Sequence, residues 1–433
     1  MIIATERCVR NGSMNFILFH LSLMKWMVIV FIIIYLPKMM CWFAPFKKQK
    51  RLFNQKQNKL AIIIPARNEG TAVLPLFQSI LNQTYDRRNF DCYVVVKDKN
   101  DPVIELAKMI NATVFIDEAQ NSKGDCLNYA IKSILRTNRG KYDGYIITDA
   151  DCEMKADFLE EMNHAMSSGA QVINAKKIVK NYFSENNYNN NWVTACNGLI
   201  WTLIDEMGNR YKSDHGFTTM TITTGILITK DLIESWNGWP YLKTLTEDME
   251  LQRDCGVKDY KTFYYSYAQI MMEESPSHRE TNKRRTRWMT GLIDADKIYY
   301  PELKNRKSLY HIRNNYFLYC LWVSYAFIGG LTLIMISNFF LAMLTLYFNK
   351  ACFLAAVKVS FTAFRLIYLS FFVPTSFALV IDWKYIRLTT TQKLLLLLIH
   401  PLFYMEYIKI VAKAVFLKSP DVWEEIERVN VSV

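Results

Sequence analysis

The chain has nine cysteines but no Cys-x-x-Cys pair, and six histidines without zinc-ligand spacing. A zinc site, a redox dithiol and a disulfide framework are therefore poor foundations for this protein, and reduced thiols are the plain reading. No internal repeat is visible. The net charge of +12 comes without any RNA- or DNA-binding motif, which argues against a nucleic-acid partner.

What the sequence has in quantity is apolar residues, and they sit in blocks. Hydrophobic residues make up 51% and aromatics 14% of the 433 positions, yet 21% are charged. That mixture suggests a soluble domain joined to membrane segments. Asn15 to Leu36 is one block, interrupted only by Lys25; Leu318 to Tyr347, Ala351 to Ile381 and Gln392 to Phe416 are three more. Each is long enough to cross a hydrocarbon core of about 30 Å. The first lacks the small-residue cleavage site of a signal peptide. Lys47, Lys48, Lys50, Arg51, Lys56 and Lys59 follow it, so the positive-inside rule places the middle of the chain in the cytosol; the plasma membrane is the expected location. The same basic residues suit anionic membrane lipids. Gly329-Gly330, Pro374 and Pro401 interrupt the later blocks, as membrane helices tolerate. Arg365 and Glu406 sit inside apolar surroundings and are expected at interfaces, with the lining of a polar path as the alternative. The stretch after Pro401, with Glu406, Lys409 and Lys413, reads as the most interfacial piece. Three full spans after the domain would put Trp423 outside, whereas one interfacial helix would keep it inside.

The expected organisation is a tail over 1–14, a transmembrane helix over 15–37, a basic linker over 38–59 and a cytosolic domain over 60–300. Interfacial and transmembrane helices over 301–418 and a tail over 419–433 complete it. Within the domain, Leu60–Pro65, Cys92–Val96, Ala112–Ile116 and Tyr145–Thr148 read as strands. Helical periodicity runs over Ala72–Leu81, Val103–Ile110 and Cys126–Leu135. Strands alternating with helices predict an α/β fold with a mostly parallel, doubly wound sheet. Asn181–Asn191 reads as a surface loop, Trp192–Met207 as a helix, and Thr218–Thr229 as β-rich.

The strand Tyr145-Ile146-Ile147-Thr148 ends abruptly in Asp149-Ala150-Asp151-Cys152. Carboxylates at the carboxyl end of a parallel strand lie where open α/β sheets bind ligands. Two oxygen donors two residues apart suit a Mg²⁺ or Mn²⁺ that also holds substrate phosphates. An Asp-rich turn at a strand end is the bland reading of the same pattern. A second acidic run, Leu245-Thr246-Glu247-Asp248, comes later and doubles as the start of a helix, where acids cap and stabilise.

Taken in order, five stretches resemble the membrane-bound family-2 glycosyltransferases, the group of cellulose, hyaluronan and chitin-oligosaccharide synthases. They are Ile64-Pro65-Ala66-Arg67-Asn68-Glu69; Ser122-Lys123-Gly124 with Leu127-Asn128; Asp149-Ala150-Asp151-Cys152; Gly238-Trp239 through Thr246-Glu247-Asp248; and Arg287-Trp288. The resemblance covers about Leu60 to Gly291 and implies a glycosyltransferase A-type domain using a UDP-sugar donor. It assigns Asn68, Glu69 and Asp98 to the nucleoside, Lys123, Asp149 and Arg287 to the diphosphate, and Asp151 with Asp149 to the metal. Asp248, with Glu247 beside it, becomes the general base of an inverting transfer. Trp288, Thr224 and Gly225 become acceptor contacts. The implied product is a surface polysaccharide made from a hexose or N-acetylhexosamine donor, with a membrane glycolipid as the alternative. The export partner is not implied. A non-catalytic membrane partner or transporter would not need Asp149, Asp151 and Asp248. A basic helix lying on lipid competes for Lys283 to Trp288.

Three positions depart from the family pattern. Arg284 stands where Gln is common, which weakens the link to processive synthesis. Thr223-Thr224-Gly225 replaces a usual Gly-Thr-Gly. The acid after the second strand is displaced, so Asp98 or Asp101 fills that place, with Asp98 nearer the strand end.

Overall fold

The computed structural model describes residues 2–180, 191–347 and 349–416, with side chains from Gly12 onward. The expected loop over 181–191 falls almost entirely outside the described residues. Two compact units emerge. Among the described residues, one comprises 2–40, Tyr319–Val380 and Thr389–Lys409; the other is built on Cys41–Leu318 with Ile381–Leu388 and 410–416.

The second unit holds an eight-stranded sheet in the order β3-β2-β1-β4-β7-β6-β8-β5. Its strands are β1 Leu60–Pro65, β2 Phe90–Val96, β3 Thr113–Ile116, β4 Gly144–Ile147, β5 Glu153–Met154, β6 Val172–Val179, β7 Ile226–Thr229 and β8 Thr262–Met272. β1 pairs in parallel with both β2 and β4, and β2 with β3; β6 and β8 are also parallel. β7 runs antiparallel between β4 and β6, and β5 antiparallel to β8. The sheet is thus mixed and mostly parallel.

Strand alternation explains the layers. Leu60, Ile62 and Ile64 point to one face, where they meet Leu76, Phe77 and Ile80 of the helix Leu74–Leu81 and Phe158 and Met162 of the helix Phe158–Met166. Ala61 and Ile63 point to the other, among Leu127, Ala130 and Ile131 of the helix Lys123–Asn138 and Leu251 and Cys255 of the helix Glu247–Val257. A strand covered on both faces must be apolar at every position, which is why β1 reads as a continuous run.

The segment expected to be β-rich over Thr218–Thr229 is strand only from Ile226. Its earlier amides are taken by side chains instead of a ladder. Thr219 N donates to Thr262 Oγ1 at 2.8 Å, Met220 N to Asn209 Oδ1 at 2.7 Å and Ile222 N to Asn174 Oδ1 at 3.3 Å. The helical run from Trp192 likewise changes character: an α-helix ends at Thr202 and a π-helix follows over Leu203–Asn209. Asp205 on that turn accepts the Lys177 amide of β6 at 2.9 Å.

The first unit consists of the helices Ile2–Met40 and Leu321–Thr345 and most of the helices Lys350–Asp382 and Thr390–Phe416. Among the described residues, four helices are long and apolar enough to cross a membrane, by length and composition: Gly12–Phe46, Tyr316–Thr345, Lys350–Asp382 and Thr390–Phe416. One feature differs from the sequence reading: the helix starts at Ile2 where a tail over 1–14 was expected, and it has no proline before Pro37. The last helix, Thr390–Phe416, passes through Pro401 without ending. Inside this unit Asn338 Nδ2 faces His20 Nδ1 at 2.8 Å, and Thr375 Oγ1 faces His400 Nδ1 at 2.7 Å. Such side-chain bonds tie helices together where water is scarce.

Gly225 tests the sheet packing. Its φ is +69°, and a β-carbon there would stand 2.8 Å from Ile270 Cγ2. Both a left-handed backbone and overpacking oppose substitution, for a combined cost of about 2–4 kcal/mol. Gly225→Ala is expected to lower the temperature at which the detergent-solubilised protein loses its monodisperse elution peak. Gly329→Ala, whose β-carbon meets nothing within 4 Å, is expected to leave it unchanged.

Candidate active site

Parallel pairing places the carboxyl ends of β1, β2 and β4 side by side: Pro65 lies opposite Val95, and Ile63 opposite Ile147. The loops that follow these strands therefore converge. After β1 come Asn68, exposed with φ +57°, and the half-buried Glu69. After β2 come Asp98 and Asp101, and they differ. Asp98 is exposed, whereas buried Asp101 accepts the Val103 amide at 2.9 Å and so starts a helix. After β4 come Asp149 and Asp151.

Lys123 organises the centre. Its ammonium pairs with Asp149, donates to Thr223 Oγ1 at 2.9 Å and lies 3.5 Å from Glu247 Oε1. Thr223 in turn donates to Glu247 Oε1 at 2.9 Å. Burial alone would lower the Lys123 pKa, but the charges of Asp149 and Glu247 outweigh it and push the value up. The lysine therefore stays charged and joins the two acidic motifs. Its place at the helix start follows from local sequence: Ser122 and Asp125 form a reciprocal capping box that fixes the first turn. Gly124 beside it is a packing requirement, because a β-carbon there would come 2.6 Å from the Tyr241 carbonyl oxygen.

The carboxylates separate electrostatically. Burial works against ionisation of Asp149, yet Lys123 and the Thr224 hydroxyl, which both bond to it, hold its pKa below the ordinary value. Asp151 opens to solvent on one side. Desolvation on its other sides and the neighbouring Asp149 charge push it up to about 6. Asp248 is pushed up to about 7, first by burial and then by the adjacent Glu247 charge.

A divalent cation fits this arrangement. Ligand atoms from Asp149, Asp151 and Cys152 lie within 4.8 Å of one another. Two carboxylates held that close, one with its pKa raised by the other's charge, gain from a shared cation. The hard oxygens would be the donors for Mg²⁺ or Mn²⁺, leaving the buried Cys152 thiol, whose pKa burial raises, outside the set.

On the other side stands the helix His278–Asn305. Arg287 is desolvated, which lowers its pKa, while Glu247, Asp248 and Asp149 act in the opposite sense. Its Nε is buried with no hydrogen-bond partner among the described residues. Such a donor is costly to leave unpaired and suits an anionic ligand. Trp288 is half-buried and meets Trp201 edge-on at 6.3 Å.

The structure thus gathers Lys123, Asp149, Thr224, Glu247, Asp248 and Arg287 around one another, with Asp151 joined to Asp149. Gly225 lies within the sheet packing, and Thr224 is engaged with Asp149.

What aligns these parts is not visible in the sequence. The helix beginning with Glu247 and the helix carrying Arg287 are joined by the buried Arg253–Asp296 ion pair and by Tyr299 OH donating to Glu250 Oε2 at 3.1 Å. They also touch where Gly291 lies against Thr246, with no room for a β-carbon. The acidic spacing showed no sign of Thr223 or Gly291 as partners, because each is defined by a contact between distant segments. Thr246 itself makes no side-chain cap at the helix start.

Asp151→Asn is expected to weaken Mn²⁺ binding at least about tenfold in electron paramagnetic resonance titrations of the purified protein. Folding should survive, because shape is kept and a repulsive charge is removed. Unchanged Mn²⁺ affinity would move the metal away from this pair.

No curated protein matches the chain by sequence. Among solved structures, the mannosyltransferase PcManGT from Pyrobaculum calidifontis, in complex with GDP-Man and Mn²⁺, is similar in fold. It has a TM-score of 0.50 and 15% identity, over 78% of this chain and 99% of that one. S. aureus TarS 1-349 in complex with UDP-GlcNAc aligns at TM-score 0.39 and 15% identity, over 71% and 92% of the two chains. The family model described as glycosyltransferase like family 2 matches residues 57–291, more than half of the chain. The strands, the acidic strand end and Arg287-Trp288 all lie in that span, and the protein belongs to glycosyltransferase family 2.

Proposed function

We propose that this protein is a membrane-bound, inverting transferase that moves a hexose or N-acetylhexosamine from a UDP-sugar to a growing extracellular polysaccharide. The observation that carries this reading is Lys123, which joins the Asp149 carboxylate to Glu247 beside Asp248. A cation that suits a diphosphate thus lies near Asp248, whose raised pKa suits a base at neutral pH. Membership of the family and the four candidate spans support a membrane enzyme. The basic residues from Lys47 to Lys59, and the cytosolic supply of nucleotide sugars that the donor requires, support a catalytic unit facing the cytosol.

In this reading Asn68, Glu69 and Asp98 hold the nucleoside, and Lys123 and Arg287 hold the diphosphate. Asp151 and Asp149 would hold a Mg²⁺ or Mn²⁺, which would supply further neutralisation of the diphosphate charge. Trp288 offers its indole to the acceptor sugar. Asp248 removes the proton from an acceptor hydroxyl as that oxygen attacks the anomeric carbon. The new carbon–oxygen bond forms on the face opposite the old one, whose electrons leave with UDP. Configuration inverts in one displacement. The raised pKa of Asp248 makes it a stronger base than an ordinary carboxylate while leaving much of it ionised near neutrality.

Membranes containing the protein, given a panel of labelled UDP-sugars with Mn²⁺ or Mg²⁺, are expected to incorporate label from one donor. The length of the product separates a polysaccharide from a glycolipid. No incorporation from any donor would reject the reading.

Asp248→Asn is expected to reduce transfer by on the order of 10²-fold or more while UDP affinity stays near normal. Collapse of UDP affinity with normal residual transfer would assign Asp248 to the donor site instead.

The pH dependence has a definite sign. A carboxylate with its pKa raised to about 7 is protonated, and useless as a base, below that value. Transfer should therefore fall about tenfold per pH unit on the acid side of neutrality and level off above it. Measured at saturating donor, a flat profile through neutrality would exclude Asp248 as the base.

Arg287→Lys removes the planar fork and should weaken UDP binding about tenfold or more, at normal membrane levels. Binding of labelled UDP to membranes checks this, and normal affinity would return the segment to lipid contact.

A further inference from the structure

One face of the Trp288 indole is already occupied. Arg284, one helical turn earlier, carries its guanidinium carbon 5.1 Å from the centre of that ring. Trp201 meets the same ring edge-on, at 6.3 Å and 78°. A single carboxylate fixes both neighbours. Glu274, buried just beyond β8, accepts from Trp201 Nε1 at 2.8 Å and from Arg284 Nη1 at 2.9 Å. The helices themselves are tied one turn away. Asn197 donates to Thr281 Oγ1 at 3.2 Å and accepts from Arg285 Nη2 at 2.8 Å. Glu274 therefore sets the guanidinium and the second indole at once, and the two together define the plane of Trp288.

The chemistry requires both partners. A largely buried guanidinium is stable here because the Glu274 charge compensates it, and either group alone would leave a buried charge unpaired. A neutral glutamine at position 284 would need no such carboxylate and would lack the flat cation that stacks on an indole. The departure of Arg284 from the family pattern thus comes with its own counter-charge.

We propose that Glu274 and Arg284 are a positioning pair that locks the Trp288 indole, so that a pyranose acceptor stacks on the one face that Arg284 does not cover. Neither residue needs to touch the reacting atoms. The proposal rests on the reading of Trp288 as an acceptor platform, and the two are separable by experiment.

The full chain, labelled with 5-fluorotryptophan and held in detergent micelles, reports the ring directly by fluorine NMR. The Trp288 signal is identified by its loss in Trp288→Phe. Glu274→Gln and Arg284→Gln are each expected to shift or broaden that signal, whereas Lys283→Gln, which removes a neighbouring charge, leaves it in place. Arg284→Lys guards against misfolding, because it keeps the charge opposite Glu274 but loses the planar stack; it too should move the signal. In transfer assays with the donor identified by the UDP-sugar panel, Arg284→Lys should cut incorporation about tenfold with UDP affinity within about twofold of normal. A Trp288 signal unmoved in Arg284→Lys and Glu274→Gln would overturn the proposal. A moved signal with undiminished incorporation would uphold the positioning pair and overturn Trp288 as acceptor platform.

Discussion

The site depends on one half-buried cation, the Lys123 ammonium. Asp149, Asp151, Glu247 and Asp248 belong to two motifs that must share a cleft, and their mutual repulsion in a partly desolvated space would drive those motifs apart. Lys123 bonds to the first motif through Asp149 and reaches the second through Glu247. Charges a few ångströms apart interact far more strongly out of water than in it, so a single ammonium can bind both. Everything that fixes Lys123 then serves the site: the capping box of Ser122 and Asp125, the close approach of Gly124 to Tyr241, and the Thr223 hydroxyl.

The fold was legible where a residue's neighbours are set by strand and helix period. β1 and β2 and the helices after them read correctly because continuous apolar runs and helical spacing are local properties. The segment over Thr218–Ile222 did not, because its β-branched residues suggested a ladder while Asn174, Asn209 and Thr262 took its amides. Those partners lie 11 to 48 residues away in sequence, beyond any window of periodicity. Pro401 interrupts the last apolar block in sequence but not in structure, because a proline inside a long helix removes one hydrogen bond without ending it.

The candidate site was legible in its residue types and less so in its connections. The acids announce themselves by position at the end of β4 and at the start of the Glu247–Val257 helix. What aligns the two halves is Gly291 against Thr246, and Arg253 with Asp296. These are contacts between helices whose meeting the sequence does not display. A glycine inside a helical stretch usually reads as a weakness. Here its missing side chain lets the helix of Arg287 approach the first turn that carries Asp248.

The same geometry explains how chemically similar carboxylates come to differ. Asp149 has a cation and a hydroxyl bonded to it, so its charge is stabilised and its proton is lost early. Asp248 has burial and a like charge beside it, with Lys123 opposing at longer range, so it holds its proton up to about 7. A group that is always ionised is suited to holding cations, and a group that exchanges a proton near neutrality is suited to taking one from a hydroxyl. Moving Lys123 nearer Asp248 would lower that pKa and make a poorer base, while moving it away would release the repulsion that the cleft contains. Its place beside Asp149 and Glu247, one residue short of Asp248, satisfies both demands at once.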